Sequence, residues 1–194
     1  MATIYSASFH VHFRGILFFF IKENDMSVSA RNQLYGKVSA IHPGSVNDEI
    51  EISLTAGGKL VSVVTSSSRI RLALEQGKEV VALIKAPWII LASEDDGMLF
   101  SARNQFPGVI TSLEKGAVNA TVHLQTDEGT TLTAVITNES VTEMDLSEGK
   151  RIIALIKASS VLLAVKKPKN QPSKTLHRTF HCKRPNSSHH SIQR

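Results

Sequence analysis

Shifting the chain by 72 positions lays residues 29–92 over 101–164 without a gap, and about 24 of the 64 aligned positions are identical. The pentapeptide Ser-Ala-Arg-Asn-Gln opens both copies, at Ser29 and Ser101, and Ala82–Ala86 returns unchanged as Ala154–Ala158. Most of the other positions exchange like for like, as in Ile41/Leu113, Ile52/Leu124, Val80/Ile152 and Ile89/Val161. A chain built this way is a tandem duplication, so both halves must fold alike. Each half is near the lower size limit for independent stability, which predicts packing against its twin or against a second chain.

Each copy reads as β-structure. Residues 36–41, 46–54 and 60–64 alternate apolar and polar groups and are rich in β-branched residues, as a half-buried strand requires. Pro43-Gly44, Gly57-Gly58 and Gln76-Gly77 punctuate them as turns. Residues 66–74 and 138–146 have room for a short helix, the second with Ser140 and Glu143 at capping-box spacing. The apolar stretch 79–92 reads as a strand pair or one bent strand. The expected fold is all-β: two tandem small five-stranded barrels of the oligonucleotide/oligosaccharide-binding type, each with a short helix. The expected boundaries are an extension at 1–28, repeats at 29–92 and 101–164 joined by an acidic linker at 93–100, and a basic, disordered tail at 165–194.

The formal charge of +5 misleads until it is located. Residues 166–194 hold eight of the 22 Lys/Arg and none of the 17 Asp/Glu, so the rest of the chain stands at −3. One cysteine, Cys182, cannot staple a fold and suits a reducing compartment. The apolar run at residues 15–21 falls far short of the roughly 20 residues a spanning helix needs. A cytoplasmic protein with no membrane partner is expected. No phosphate loop, nucleophile elbow or Cys-x-x-Cys pair occurs, and the only histidines inside the repeats, His42 and His123, stand at non-equivalent positions. An enzyme is not expected.

The repeats do share a polar set. Ser29, Arg31, Asn32, Thr65, Ser68 and Lys85 recur as Ser101, Arg103, Asn104, Thr137, Ser140 and Lys157, and no duplicated carboxylate accompanies them. Such donor-rich groups suit a small anion with acceptor oxygens on every side. The plainer alternative places the charged groups on solvated faces and the hydroxyls at strand ends. Lys85 and Lys157, each after Ala-Leu-Ile, either guard a sheet edge or neutralise something negative.

The motif SARNQ…G…GAVNA…TAVIT-x-ES…ALIKASSV-x-LA in residues 101–164 resembles the TOBE-like, molybdate-binding Mop repeat, and residues 29–92 follow it with departures. The pair is similar to the tandem arrangement of molbindins and of the effector half of the bacterial molybdate-responsive regulator. That resemblance implies small barrels that bind molybdate or tungstate at interfaces between repeats, often between subunits, in a dimer or trimer. It implies ligands at Ser29, Arg31, Lys85 and the Ala86 backbone, joined by Thr65 and Ser68 from a neighbouring repeat or chain. In the second copy it implies Ser101, Arg103, Lys157, Ser159, Thr137 and Ser140. Ser159-Ser160 becomes Pro87-Trp88 in the first copy, removing a backbone N–H and a hydroxyl, so non-equivalent sites are expected. The regulator carries a winged helix-turn-helix ahead of its repeats, whereas 28 residues precede Ser29 here; operator binding by this chain alone is not expected.

Two other functions compete. Barrels of this type also bind nucleic acid, with the basic tail supplying phosphate contacts, but stacking platforms are scarce: residues 29–165 offer Tyr35, Trp88, Phe100 and Phe106. A metal site in the tail would use His177, His181, Cys182, His189 and His190, whose spacing fits no zinc pattern closely.

Overall fold

The computed structural model describes residues 27–94 and 97–167. In the first repeat β1 (Asn32–His42), β2 (Asn47–Leu54) and β3 (Lys59–Thr65) form an antiparallel meander, followed by α1 (Ser66–Arg71) and β4 (Glu79–Ile84). A 3-10 turn at Ala86–Trp88 leads into β5 (Ile89–Ala92). The second repeat runs in parallel: β6 (Asn104–Lys115), β7 (Asn119–Thr126), β8 (Thr131–Thr137), α2 (Asn138–Glu143), β9 (Arg151–Ile156), a 3-10 turn at Ala158–Ser160, and β10 (Leu162–Ala164).

Alternation places Ile50, Ile52, Leu60 and Ile84 inward in one half and Val122, Leu124, Leu132 and Ile156 inward in the other, all fully buried. The sheets curl because β1 and β6 each carry a register shift, between Val38 and Ala40 and between Ile110 and Ser112. A bulge bends its strand and increases the local twist. Gly77 and Gly149 serve these bends: at φ 83° and 84° they donate N–H bonds to Val38 and Ile110 carbonyls at 2.8 and 2.9 Å. Such positive φ values favour glycine. Gly36 and Gly108 are required for another reason, since a Cβ there would stand 2.5 and 2.3 Å from the carbonyl oxygens of Ser53 and Gln125 on the neighbouring strand.

The sheets do not follow the sequence repeats. Their strand orders are β10-β4-β1-β2-β3 and β5-β9-β6-β7-β8, so each five-stranded sheet takes one edge strand from the other repeat. The stretch 79–92 is thus two strands that pair with different partners: β4 with β1 and β10, β5 with β9. The 3-10 turn between them packs against β8 and carries the chain across rather than back. Each curl nearly closes, with β10 returning against β3 and β5 against β8.

Both short helices form, with a different cap from the one expected. Thr137, not Ser140, is the N-cap of α2; its Oγ1 accepts the Ser140 N–H at 3.1 Å, as Thr65 Oγ1 accepts that of Ser68 at 3.2 Å. Ser140 lies inside the first turn, where its own N–H needs a partner.

Candidate functional site

The repeated pentapeptides lie at the seam between the halves. Asn32 donates its Nδ2 to the Thr133 carbonyl at 2.8 Å and accepts the Thr133 N–H on Oδ1 at 2.7 Å. Asn104 makes the same pair of bonds with Val61, at 2.8 and 2.7 Å. Both asparagines are buried, and each side-chain amide imitates a strand backbone against the edge of β8 or β3. The edge strands' free N–H and C=O groups are thereby satisfied. Two members of the shared polar set therefore dock the repeats on each other, which their recurrence alone does not reveal.

The arginine of each pentapeptide also crosses the seam. Arg31 Nη1 donates to Thr121 Oγ1 on β7 at 3.2 Å, and Arg103 Nη2 donates to Glu49 Oε1 on β2.

Pairing of β6 with β9 sets Asn104 opposite Ile156. Ser101–Arg103, before β6, and Lys157–Ser159, after β9, become neighbours by that register. They line one open cleft of about 560 Å³, completed by Val63 and Ile90 from the first repeat together with Phe100 and Leu155. Ser101, Arg103, Lys157 and Ser159 are thus brought together, two cationic and two hydroxyl residues lining one cleft. Lys157 is not inside a strand: it follows β9, and its carbonyl accepts the Ser160 N–H at 2.9 Å, as the Lys85 carbonyl accepts that of Trp88. A cleft of about 570 Å³ elsewhere is lined by Tyr35, Lys37, Lys78, Glu79 and Lys166, among others, and by no residue of the expected site.

The first copy is arranged differently. Pairing of Asn32 with Ile84 again brings Ser29 and Arg31 near Lys85 and Ala86, but Lys85 Nζ lies 5.5 Å from the Trp88 ring centroid. A cation over an aromatic face is held by the ring quadrupole. Pro87 and Trp88 thus replace two hydroxyls and also give the lysine another partner.

Neither hydroxyl pair lines the cleft. Thr65 Oγ1 and Ser68 Oγ are 2.9 Å apart at the start of α1, as are Thr137 Oγ1 and Ser140 Oγ at the start of α2. They stand at exposed helix starts, where Thr65 and Thr137 are the caps. Glu49 stands outside the polar set that the repeats share, because its counterpart is Thr121. Of the aromatic residues considered for stacking, Phe106 is buried in the core and Trp88 lies beneath Lys85. His177, His181 and Cys182, with His189 and His190, lie outside the described residues.

Residues 28–91 and 101–163 each match the TOBE domain. The chain belongs to the TOBE-domain family. Its paired TOBE repeats are similar to the cytoplasmic molybdate-binding protein ModG, in a crystal form with molybdate bound. That likeness has a TM-score of 0.69 at 47% identity and covers 73% of this chain and 100% of that one. The molybdenum-pterin-binding protein MopA of Rhodobacter capsulatus is 39% identical over 140 residues, 72% of this chain and 53% of MopA. The DNA-binding transcriptional dual regulator ModE of Escherichia coli K12 is 34% identical over 145 residues, 74% of this chain and 54% of ModE. The TOBE chain spans about half the length of the curated relatives it matches. Among the described residues no helix is long and apolar enough to cross a membrane.

Proposed function

We propose that this chain binds molybdate, or tungstate as its analogue, in the cleft of Ser101, Arg103, Lys157 and Ser159, serving intracellular molybdenum storage or sensing in the cytoplasm. The observation that carries the proposal is the convergence of those four donors from segments more than 50 residues apart in sequence. A tetrahedral dianion offers acceptor oxygens in every direction, and charge-assisted bonds from guanidinium, ammonium and hydroxyl groups are the strong kind. The similarity to ModG, a molybdate-binding protein, supports the same ligand class.

The cleft is many times larger than a tetrahedral oxyanion, and the hydroxyl pairs Thr65–Ser68 and Thr137–Ser140 do not line it. A second copy presenting one of those pairs would cover the open side, which supports a homo-oligomer, dimer or trimer, with sites at its interfaces. Size selection against sulfate would then come from the closed cavity.

Isothermal titration of the full chain with molybdate, tungstate and sulfate tests this. Molybdate and tungstate are expected to bind and sulfate to bind far more weakly, and Lys157→Ala should lose at least about tenfold in affinity. An absence of molybdate heat from folded protein would refute the proposal. Native mass spectrometry on the same samples reads subunit number and bound anions together.

A further inference from the structure

Arg103 is drawn in two directions. Arg103 lines the cleft with Lys157 and Ser159, and its Nη2 donates to the Glu49 carboxylate on β2 of the other repeat. In the other half, Arg31 meets the neutral Thr121 hydroxyl, and Thr121 is the residue 72 positions after Glu49. The same arginine therefore faces a hydroxyl in one copy and a negative charge in the other. Glu49 belongs to a small polar group with His42 and Glu51, whose ligating atoms all lie within 4.8 Å of one another. Within it His42 Nε2 is 3.0 Å from Glu51 Oε1, which leaves Glu49 to Arg103.

We propose that Glu49 determines the affinity of the Arg103 cleft: it is a built-in carboxylate that competes with the bound oxyanion for the Arg103 guanidinium. This rests on the oxyanion reading above. A guanidinium has five donors in a fixed fork and can reach both partners. A dianion that shares it with Glu49, however, is repelled by the carboxylate, whereas one beside Arg31 and Thr121 is not. Arg103 and Glu49 side chains are 59% and 25% exposed, so the competition is electrostatic, solvent-damped and salt-sensitive. The second copy keeps the hydroxyls that Pro87 and Trp88 remove from the first, and Glu49 offsets part of that advantage.

The test is titration of the full chain with sodium molybdate for wild type, Glu49→Thr, Glu49→Gln and Glu51→Gln, with folding checked by circular dichroism. Both Glu49 variants are expected to tighten one class of site about tenfold at low salt, and the gain should shrink at about 0.5 M sodium chloride. Glu51→Gln should stay within about twofold of wild type, because Glu51 does not contact Arg103. Wild-type affinity in both Glu49 variants, or weaker binding, overturns the proposal while leaving molybdate binding intact. An equal gain in Glu51→Gln, or a gain that salt does not diminish, overturns it too, since local competition would not produce either. If no variant and no wild-type sample binds molybdate, the oxyanion reading itself fails and takes this proposal with it.

Discussion

Asp48 is a buried carboxylate at the start of β2. It accepts from the Ser66 hydroxyl at 2.8 Å, the Gly44 N–H at 3.1 Å and the Arg69 guanidinium. Those bonds, that from Ser66 foremost, hold its carboxyl below the ordinary aspartate value against the opposing effect of burial. The second repeat solves the same position without charge, since Asp48, Ser66 and Arg69 are replaced by Ala120, Asn138 and Val141. A carboxyl with a lowered folded-state pKa contributes stability that is complete above its unfolded value. That contribution is lost as pH falls through the folded value, so the loss lies below about pH 4. Asp48→Ala with Arg69→Val, which copies the second repeat at those two positions, is expected to flatten the acid limb of a urea-midpoint-against-pH curve. Asp48→Ala alone should be less stable than the double variant at pH 7, because it leaves the Arg69 guanidinium without its carboxylate. An acid limb unchanged in the double variant would remove Asp48 as its cause.

At the scale of elements, the question is why β5 and β10 exchange. The strands they pair with are β4 and β9, which end in the same residues, Ala-Leu-Ile. Apolar matching therefore accepts either partner. The charges just beyond the strands do not. Continuing the register Ala92↔Ile153 sets Glu94 opposite Arg151, and continuing Ala164↔Val81 sets Lys166 opposite Glu79. Arg151 binds Glu94 at 2.7 and 3.2 Å and Asp127 at 3.0 and 2.8 Å, and it holds both carboxyls below their ordinary pKa. Without exchange the same registers would set Glu94 opposite Glu79 and Lys166 opposite Arg151, like against like, which destabilises a cross-strand pair. Glu94→Lys with Lys166→Glu is expected to lower the urea midpoint, and adding Glu79→Arg with Arg151→Glu should recover part of the loss. No recovery in the fourfold variant would show that these charges do not choose the partner strand.

The strands, the helices and the duplication itself were legible in the sequence, because alternation, turn glycines and a fixed shift are local or self-referential signals. Strand exchange was not: the apolar ends of β4 and β9 accept either partner, and Glu94 and Lys166, whose charges favour the observed pairing, lie in stretches that read as linker and tail. Four of the expected site residues converge because the β6–β9 register brings Ser101–Arg103 beside Lys157–Ser159. Thr65, Ser68, Thr137 and Ser140 do not line that cleft, because they stand at the starts of α1 and α2, where Thr65 and Thr137 cap the helices.

On the scale of the whole molecule, two exchanged strands and two asparagine clamps make the halves one cooperative unit. The Asn104 side chain satisfies the Val61 N–H and carbonyl and also donates to the Ile156 carbonyl at 3.2 Å. Removing it leaves buried backbone groups without partners, a cost of about 2–3 kcal/mol. Because β5 completes the second sheet and β10 the first, that cost cannot stay within one repeat. Asn104→Ala should therefore shift a single unfolding transition to lower urea for both halves. A fluorophore on an introduced cysteine at Ser53, in the first sheet, or at Gln125, the equivalent exposed position in the second, would report it in separate samples after Cys182→Ser. Coincident curves before and after the substitution are the expected result. Separate curves, with only the second repeat displaced, would mean that the exchanged strands tether the halves without coupling their stability. Coupling also bears on binding, because the cleft takes its walls from both repeats. The β6–β9 register sets Arg103 beside Lys157, and Val63 and Ile90 of the other repeat complete the cleft wall. Asn104→Ala should consequently weaken molybdate binding by opening that wall, even though its own side chain is turned away into the seam.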